Sequence, residues 1–255
     1  MECKCCGFEA SYLWTGRILN FDVKYYECSD CGYVQTEEPY WLEAAYNSVI
    51  NDSDTGIVSR NYVNSRIVLS SLWLIGGLND NVVDYAGGYG LLVRMMRDLG
   101  INTFWTDPFC ENLFAKNFNW NGLDSAKLVT AFEAFEHVVD PIGTINEMLK
   151  IAPNILLSTL VMPAQTPPHN DWWYYGQNHG QHIGFYRVKT FEKIAKSKNK
   201  FLSTDGKSYF LLSEKPVSNF AFKLIILVSK LMPYILKFRL QSKTLGDSKL
   251  IRGNN

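Results

Sequence analysis

The stretch "VVDYAGGYGLLVRMM", Val82 to Met96, decides the fold. Two β-branched residues and an aspartate run into Gly87, Gly88 and Gly90, and apolar residues at helical spacing follow. That pattern reads as a buried strand, a tight glycine turn and a helix start. Outward from it the same texture continues. "INTFWTD" (101–107) and "KLVTAF" (127–132) are strand-like, and Asp140 as N-cap with Pro141 at the first helical position opens the helix "PIGTINEMLKIA". "NILLSTLVM" (154–162) is another buried strand, and "KFLSTDGKSYFLLS" (200–213) sets two strand-like runs around the hairpin-favouring Asp205-Gly206. Strand alternating with helix predicts an α/β domain with a mostly parallel sheet and a closing antiparallel pair.

Upstream, "YWLEAAYNSVI" (40–50) and "NYVNSRIVLSSLWLIGGL" (61–78) read as helices, the second stopped by Gly76-Gly77. Residues 1–40 hold only short alternating runs and read as a small module. The expected division is 1–40 (module), 41–79 (helical linker or lid), 80–215 (α/β domain) and 216–255 (amphipathic helix and tail). At 47% hydrophobic and 20% charged, the chain has the composition of a globular protein. Lys plus Arg equals Asp plus Glu, 25 each, so no global field draws nucleic acid or an anionic surface. The opening "MECKCCGFEA" lacks the basic start and apolar run of an export signal, and a cytoplasmic location is expected.

Five of the six cysteines fall within the first 31 residues. Cys3-x-x-Cys6 and Cys28-x-x-Cys31 are each followed by glycine, and two such knuckles supply four thiolates for a tetrahedral, structural zinc. Cys5, inside a knuckle, is the spare. Zinc ribbons also bind nucleic acid, but this one sets Lys4, Arg17 and Lys24 against Glu2, Glu9, Asp22, Glu27, Asp30, Glu37 and Glu38. An acidic module is a poor phosphate binder.

What the glycine turn holds follows by comparison of ligands. A dinucleotide fingerprint needs a third small residue, where Val93 is bulky, and a P-loop needs a Gly-Lys-Ser/Thr ending, which is absent. A cofactor without phosphates asks only for close backbone approach and a carboxylate for its ribose. Asp107, 23 residues after Asp84 at the end of the next strand, is placed for the latter. Here the sequence resembles class I S-adenosylmethionine-dependent methyltransferases: "DYAGGYG" is similar to their D-x-G-x-G-x-G turn, with Ala86 in place of the first glycine. The resemblance implies a Rossmann-like sheet and cofactor contacts from Asp84, Ala86, Gly87, Gly88, Gly90, Asp107, Pro108 and Phe132. "TAFEAFEHVVDP" resembles the post-strand segment of a subfamily with an E-x-x-E-H-V pattern. The short run between Asp107 and this segment implies that the usual third strand and helix are reduced.

"TPPHNDWWYYGQNHGQHIGFYRVKTF" carries His169, His179 and His182 with Trp172, Trp173, Tyr174 and Tyr175. It resembles the "WWYY…GQHI-FY" segment of methyltransferases acting in bacterial sugar and surface-polysaccharide pathways, several of which begin with a C-x-x-C…C-x-x-C module. The resemblance covers all but the last 35 residues or so. It implies methyl transfer to a sugar or sugar nucleotide, O-methylation favoured. A hydroxyl nucleophile is helped by a general base: His182 is placed first, then His179, with Glu136 and His137 as alternatives. The plain alternative for each histidine is a hydrogen-bonded structural role, and for the aromatics core packing. A metal on His179 and His182 lacks a further ligand at suitable spacing. Arg60 is a candidate for the methionyl carboxylate, against a surface ion pair. Competing readings of the whole are an RNA methyltransferase and a non-catalytic zinc-ribbon adaptor.

"FAFKLIILVSKLMPYILKFRLQ" (220–241) spaces Lys223, Lys230 and Lys237 seven apart in an apolar run. Its charges and Pro233 argue against a spanning helix. Peripheral contact with the inner face of a membrane through 220–240 stands against packing on the domain or a second subunit, the latter favoured. The tail after Gln241 is expected to be disordered, and the oligomeric state is left open.

Overall fold

A computed structural model describes residues 1–46, 55–122 and 124–253. At the N-terminal end, β1 (Ala10–Ile18), β2 (Phe21–Cys28) and β3 (Val34–Thr36) form an antiparallel meander. Next come α1 (Leu42–Ala45) and α2 (Ile57–Leu74). The helix expected over 40–50 is shorter than its periodicity suggests: α1 ends at Ala45, and 47–50 lie outside the described residues. Trp41 is held instead as an anchor, fully buried with its indole N–H donating to the Gly180 carbonyl at 2.9 Å.

The α/β part then follows in the expected order: β4 (Asn81–Tyr85), α3 (Leu91–Asp98), β5 (Thr103–Thr106), β6 (Ala126–Phe132), α4 (Pro141–Ile151) and β7 (Asn154–Ser158). Asp140 caps α4 by accepting from Gly143 N. After β8 (Gly184–Phe185) and α5 (Val188–Ser197), the hairpin β9 (Phe201–Thr204) and β10 (Tyr209–Ser213) completes the sheet. Its order is β5-β4-β6-β7-β10-β9, parallel through β7 and antiparallel at β10 and β9. This is the Rossmann-like α/β architecture. Between β5 and β6 the described chain forms only a single bridge, Trp105 to Asn119, where a further strand and helix were expected to be reduced.

Period-two alternation sorts the strands into two cores. Val82, Leu128, Leu156 and Leu211 face α2 and α3. Val83, Val129, Ile155, Leu157, Phe210 and Leu212 face α4 and α5. Each such side chain is buried, at about 1.5–3 kcal/mol apiece. Sandwiched on both sides, the parallel strands read as the near-continuous apolar runs seen in the sequence.

The N-terminal meander takes its fourth strand from far along the chain: β8 pairs with β3, Val34 opposite Phe185 and Gln35 opposite Gly184. A third core, of Val23, Tyr25, Val34, Trp41, Tyr174, Tyr175 and Phe185, fills the junction.

The C-terminal stretch is a broken pair and not one amphipathic helix. α6 (Asn219–Leu227) meets the segment Ser229–Leu236, a 3₁₀ turn continued by α7 (Met232–Leu236), at 53°, with Pro233 in the first turn of α7. No single helix among the described residues is long and apolar enough to cross a membrane. The tail expected to be disordered instead forms α8 (Thr244–Gly253). Asp247 accounts for this, since its carboxylate accepts from Arg97 Nη2 at 2.7 Å and Arg94 Nη2 at 2.9 Å.

Candidate active site

The glycine turn lies at the carboxyl end of β4, where open α/β sheets place their ligands. Ala86, standing where the resemblance has glycine, takes φ +56°, the left-handed region that normally selects glycine. Gly90 is tighter still: at φ +85° an added Cβ would sit 2.6 Å from Asn112 Oδ1. The turn is thus moulded against the 110–119 loop, which donates Leu113 N and Phe114 N to the Tyr89 carbonyl.

Asp107 meets the turn from just beyond the end of β5. Its Oδ2 accepts from Gly88 N at 2.9 Å, and its Oδ1 accepts from Phe109 N and Cys110 N. Beneath the turn, Asp84 is buried and receives the Thr130 hydroxyl at 2.7 Å. Burial, assisted by the Asp107 charge and opposed by Thr130, lifts its carboxyl to about 7. Gly88, Asp107, Asp84 and Phe132 are therefore brought to one end of the sheet, with Pro108 beside Asp107.

A second cluster sits beyond the ends of β6 and β7. Glu136 and His137 ride on one 3₁₀ turn, Phe135–His137. His179 and His182 arrive on the loop before β8, and Ile183 N donates to the Glu136 carbonyl at 2.7 Å. The His182 ring lies 4.8 Å from that of His137 and 4.7 Å from that of His179. Glu136, His137 and His182 each offer a ligand-type atom within 4.8 Å of the others, a carboxylate partner that the spacing of the histidines alone does not reveal.

Hydrogen bonds separate the three rings. His182 Nδ1 donates to the Tyr174 carbonyl at 2.6 Å and His137 Nδ1 donates to that of Gln181 at 3.0 Å, so each neutral ring keeps its lone pair on Nε2. His179 is reversed: its Nδ1 accepts from Gln181 N at 3.2 Å, which leaves the proton on Nε2. Burial holds all three rings neutral, pulling His137 down to about 4 and His182 well below the usual imidazole range. Glu136 accepts the Tyr174 hydroxyl at 2.7 Å on Oε1, while its buried Oε2 has no hydrogen-bond partner among the described residues. Burial raises its carboxyl to about 6, and the Arg60 guanidinium opposes that rise.

Glu133 is the site residue that the sequence reading does not single out, although it is the first glutamate of the E-x-x-E-H-V pattern. It follows β6 at φ +51°, a costly conformation for a glutamate, and is tied to Ser158, whose hydroxyl donates to Oε1 at 2.6 Å. Burial and the Glu136 charge lift it to about 7.

The aromatic segment divides. Tyr174 and Tyr175 are buried in the junction core and Trp172 packs against it, while Trp173 is 78% exposed. His169 stacks on Tyr175 and contacts Tyr25, a structural position.

The four cysteines of the two knuckles meet in one place. Cys3 Sγ and Cys31 Sγ are 3.6 Å apart, Cys6 Sγ and Cys28 Sγ 3.5 Å, and all four sulfurs lie within 4.8 Å of one another. Zn–S bonds of about 2.3 Å in a tetrahedron place sulfurs about 3.8 Å apart. The donor set therefore fits a metal of this kind, and Cys5 stays outside it.

No curated protein matches the chain. Among solved structures, an O-methyltransferase family protein from Burkholderia thailandensis is similar at 14% identity, over 62% of this chain and 57% of that one, with a TM-score of 0.45. Magnesium protoporphyrin IX methyltransferase from Synechocystis, with bound SAH, is similar at 14% identity over 68% and 93%, TM-score 0.45. Human N-acetylserotonin methyltransferase, in complex with SAM, is similar at 17% identity over 63% and 54%, TM-score 0.43. The chain thus spans little more than half the length of the first and last of these. Residues 60–199, from α2 through α5, match the family described as "Methyltransferase domain", and the chain belongs to that family.

Proposed function

We propose that the protein transfers a methyl group from S-adenosylmethionine to a hydroxyl of a sugar or sugar nucleotide, with His182 as general base. The observation that carries this reading is the pairing of Asp107 with the Gly88 amide at the mouth of the turn, on the same end of the sheet as the Glu136–His137–His182 cluster. Bound there, the cofactor supplies an electrophilic methyl on a sulfonium. Asp107 would receive its ribose hydroxyls, and the amides around Gly88 and Gly90 would line its amino-acid end.

The chain's remaining task is to orient the acceptor and take its proton. Holding nucleophile and methyl within about 3–3.5 Å provides much of the rate gain. His182 Nε2 suits the proton transfer because the Tyr174 carbonyl fixes the other nitrogen as donor. His179 is less suited, since Gln181 N occupies its basic nitrogen. The buried Oε2 of Glu136, unpartnered among the described residues, would accept a second hydroxyl of an acceptor that reached it, and exposed Trp173 would offer a face to a sugar ring. The cysteine cluster is read as a structural zinc ribbon, since four thiolates leave no open position for catalysis. The acceptor is taken to be a cytoplasmic small molecule. The acidic N-terminal segment weighs against RNA.

Titration calorimetry with S-adenosylmethionine, then transfer of labelled methyl to a panel of nucleotide sugars, tests the proposal. Absence of cofactor binding favours the non-catalytic adaptor; binding with transfer to RNA alone replaces the acceptor.

A further inference from the structure

The broken pair α6–α7 presents two apolar faces, and the fold uses only one. Phe222, Ile225, Met232 and Leu236 are buried against the core that contains α2. On the other side Phe220, Leu224 and Leu227 recur at steps of four and three along α6, and Leu231, Tyr234 and Phe238 follow at the same steps beyond the break. All six are exposed, Phe220 at 77%, Leu227 at 78% and Phe238 at 88%. A helix apolar on both faces has one face unaccounted for when a single side is packed.

Charge says what suits that face. Residues 215–246 contain Lys215, Lys223, Lys230, Lys237, Arg239 and Lys243 and no acidic residue, in a chain whose net charge is zero. Lys223, Lys230 and Lys237 keep a seven-residue step, and all three are exposed among these apolar residues. Long lysine stems lie along apolar surface while their heads reach outward. Exposed phenylalanines and leucines with lysines among them are the makings of an interfacial segment. The 53° break lets the pair lie along a surface and does not fit a straight span.

We propose that this face docks on an anionic lipid surface, the phenylalanines and leucines entering the headgroup boundary and the lysines meeting lipid phosphates. The attraction combines buried apolar area with salt-sensitive charge, each lysine being worth about fivefold in affinity near an anionic surface. It does not depend on the reading of the active site, because neither cofactor nor acceptor enters the test.

The experiment is sedimentation of the full chain with vesicles of phosphatidylcholine alone, and with vesicles in which part is replaced by phosphatidylglycerol, at low and high salt. The expected result is binding to the anionic vesicles only, weakened about fivefold by Lys230→Gln and strongly by salt. The triple variant Phe220→Ser, Leu227→Ser, Phe238→Ser should lose binding at an unchanged melting temperature, since all three side chains are exposed. Three outcomes overturn the proposal. One is a wild-type chain left in the supernatant with both vesicles. Another is binding that survives the triple variant. The third is a wild-type dimer that ignores vesicles and becomes monomeric in the triple variant, which would make the face a contact between copies of the chain.

Discussion

Gly88 and Asp107 are joined by a 2.9 Å hydrogen bond from backbone amide to carboxylate, which ties the turn after β4 to the end of β5. The same carboxylate holds Phe109 N and Cys110 N, so one side chain organises both the turn and the loop after β5. Asp107→Ala should weaken S-adenosylmethionine binding about ten- to hundredfold, the worth of one or two hydrogen bonds to a charged group. Titration calorimetry checks this, and an unaltered dissociation constant removes Asp107 from the cofactor site.

His182 and His179 differ in which nitrogen is free, so their substitutions should differ too. His182→Ala should lower kcat about 10²–10⁴-fold with cofactor affinity intact. His179→Ala should cost much less. Equal losses in a turnover assay would show that the ring orientation does not decide the base.

The acid limb of the kcat/KM profile follows from burial. His182 and His137 are held neutral below the usual imidazole value of about 6.5, so they set no limb there, and the limb expected is that of Glu136, lifted to about 6. A limb above that value would point to Glu133, lifted to about 7, as the controlling group.

Asp84 gives a stability prediction with a definite sign. Its folded value, about 7, lies above its ordinary 3.8, so its contribution is complete below about pH 4 and is lost as pH rises through 7. Across that window Asp84→Asn should gain on the wild type by about 2–4 kcal/mol. Urea midpoints of the two proteins at pH 4 and pH 7 measure the change, and a constant difference refutes it.

Metal analysis should find about one zinc per chain. Cys28→Ser should remove it and melt the meander of β1–β3, visible as a separate early transition in hydrogen exchange. A folded, metal-free wild type would overturn the ribbon.

The elements that carry their own signals were legible in the sequence. Strands β4, β6 and β7 are apolar runs, α4 announces itself with Asp140-Pro141, and the hairpin with Asp205-Gly206. What escaped depends on distant partners. β8 is two residues long and exists only because Val34 lies opposite Phe185. α8 resembles a polar tail until Asp247 meets Arg97, a pairing across 150 positions of the chain. Likewise, sequence could name His179 and His182 and order them, but not supply the reason for the order, because the Gln181 amide and the Tyr174 carbonyl choose their tautomers. Tyr174 and Tyr175, equally fit for ligand or core, went to the core.

The borrowed strand β8 has a practical consequence for anyone who would trim this protein. The loop that delivers His182 runs straight into β8, which leans on β3, and Thr190 just beyond donates to the Cys31 carbonyl at 3.0 Å. Deleting the first forty residues to obtain a minimal catalyst would strip the neighbour from Phe185 and the scaffold from both histidines. Cys28→Ser, which opens the cysteine knuckles and leaves Cys110 beside Asp107 unchanged, should for the same reason silence transfer without touching the methyl donor's seat.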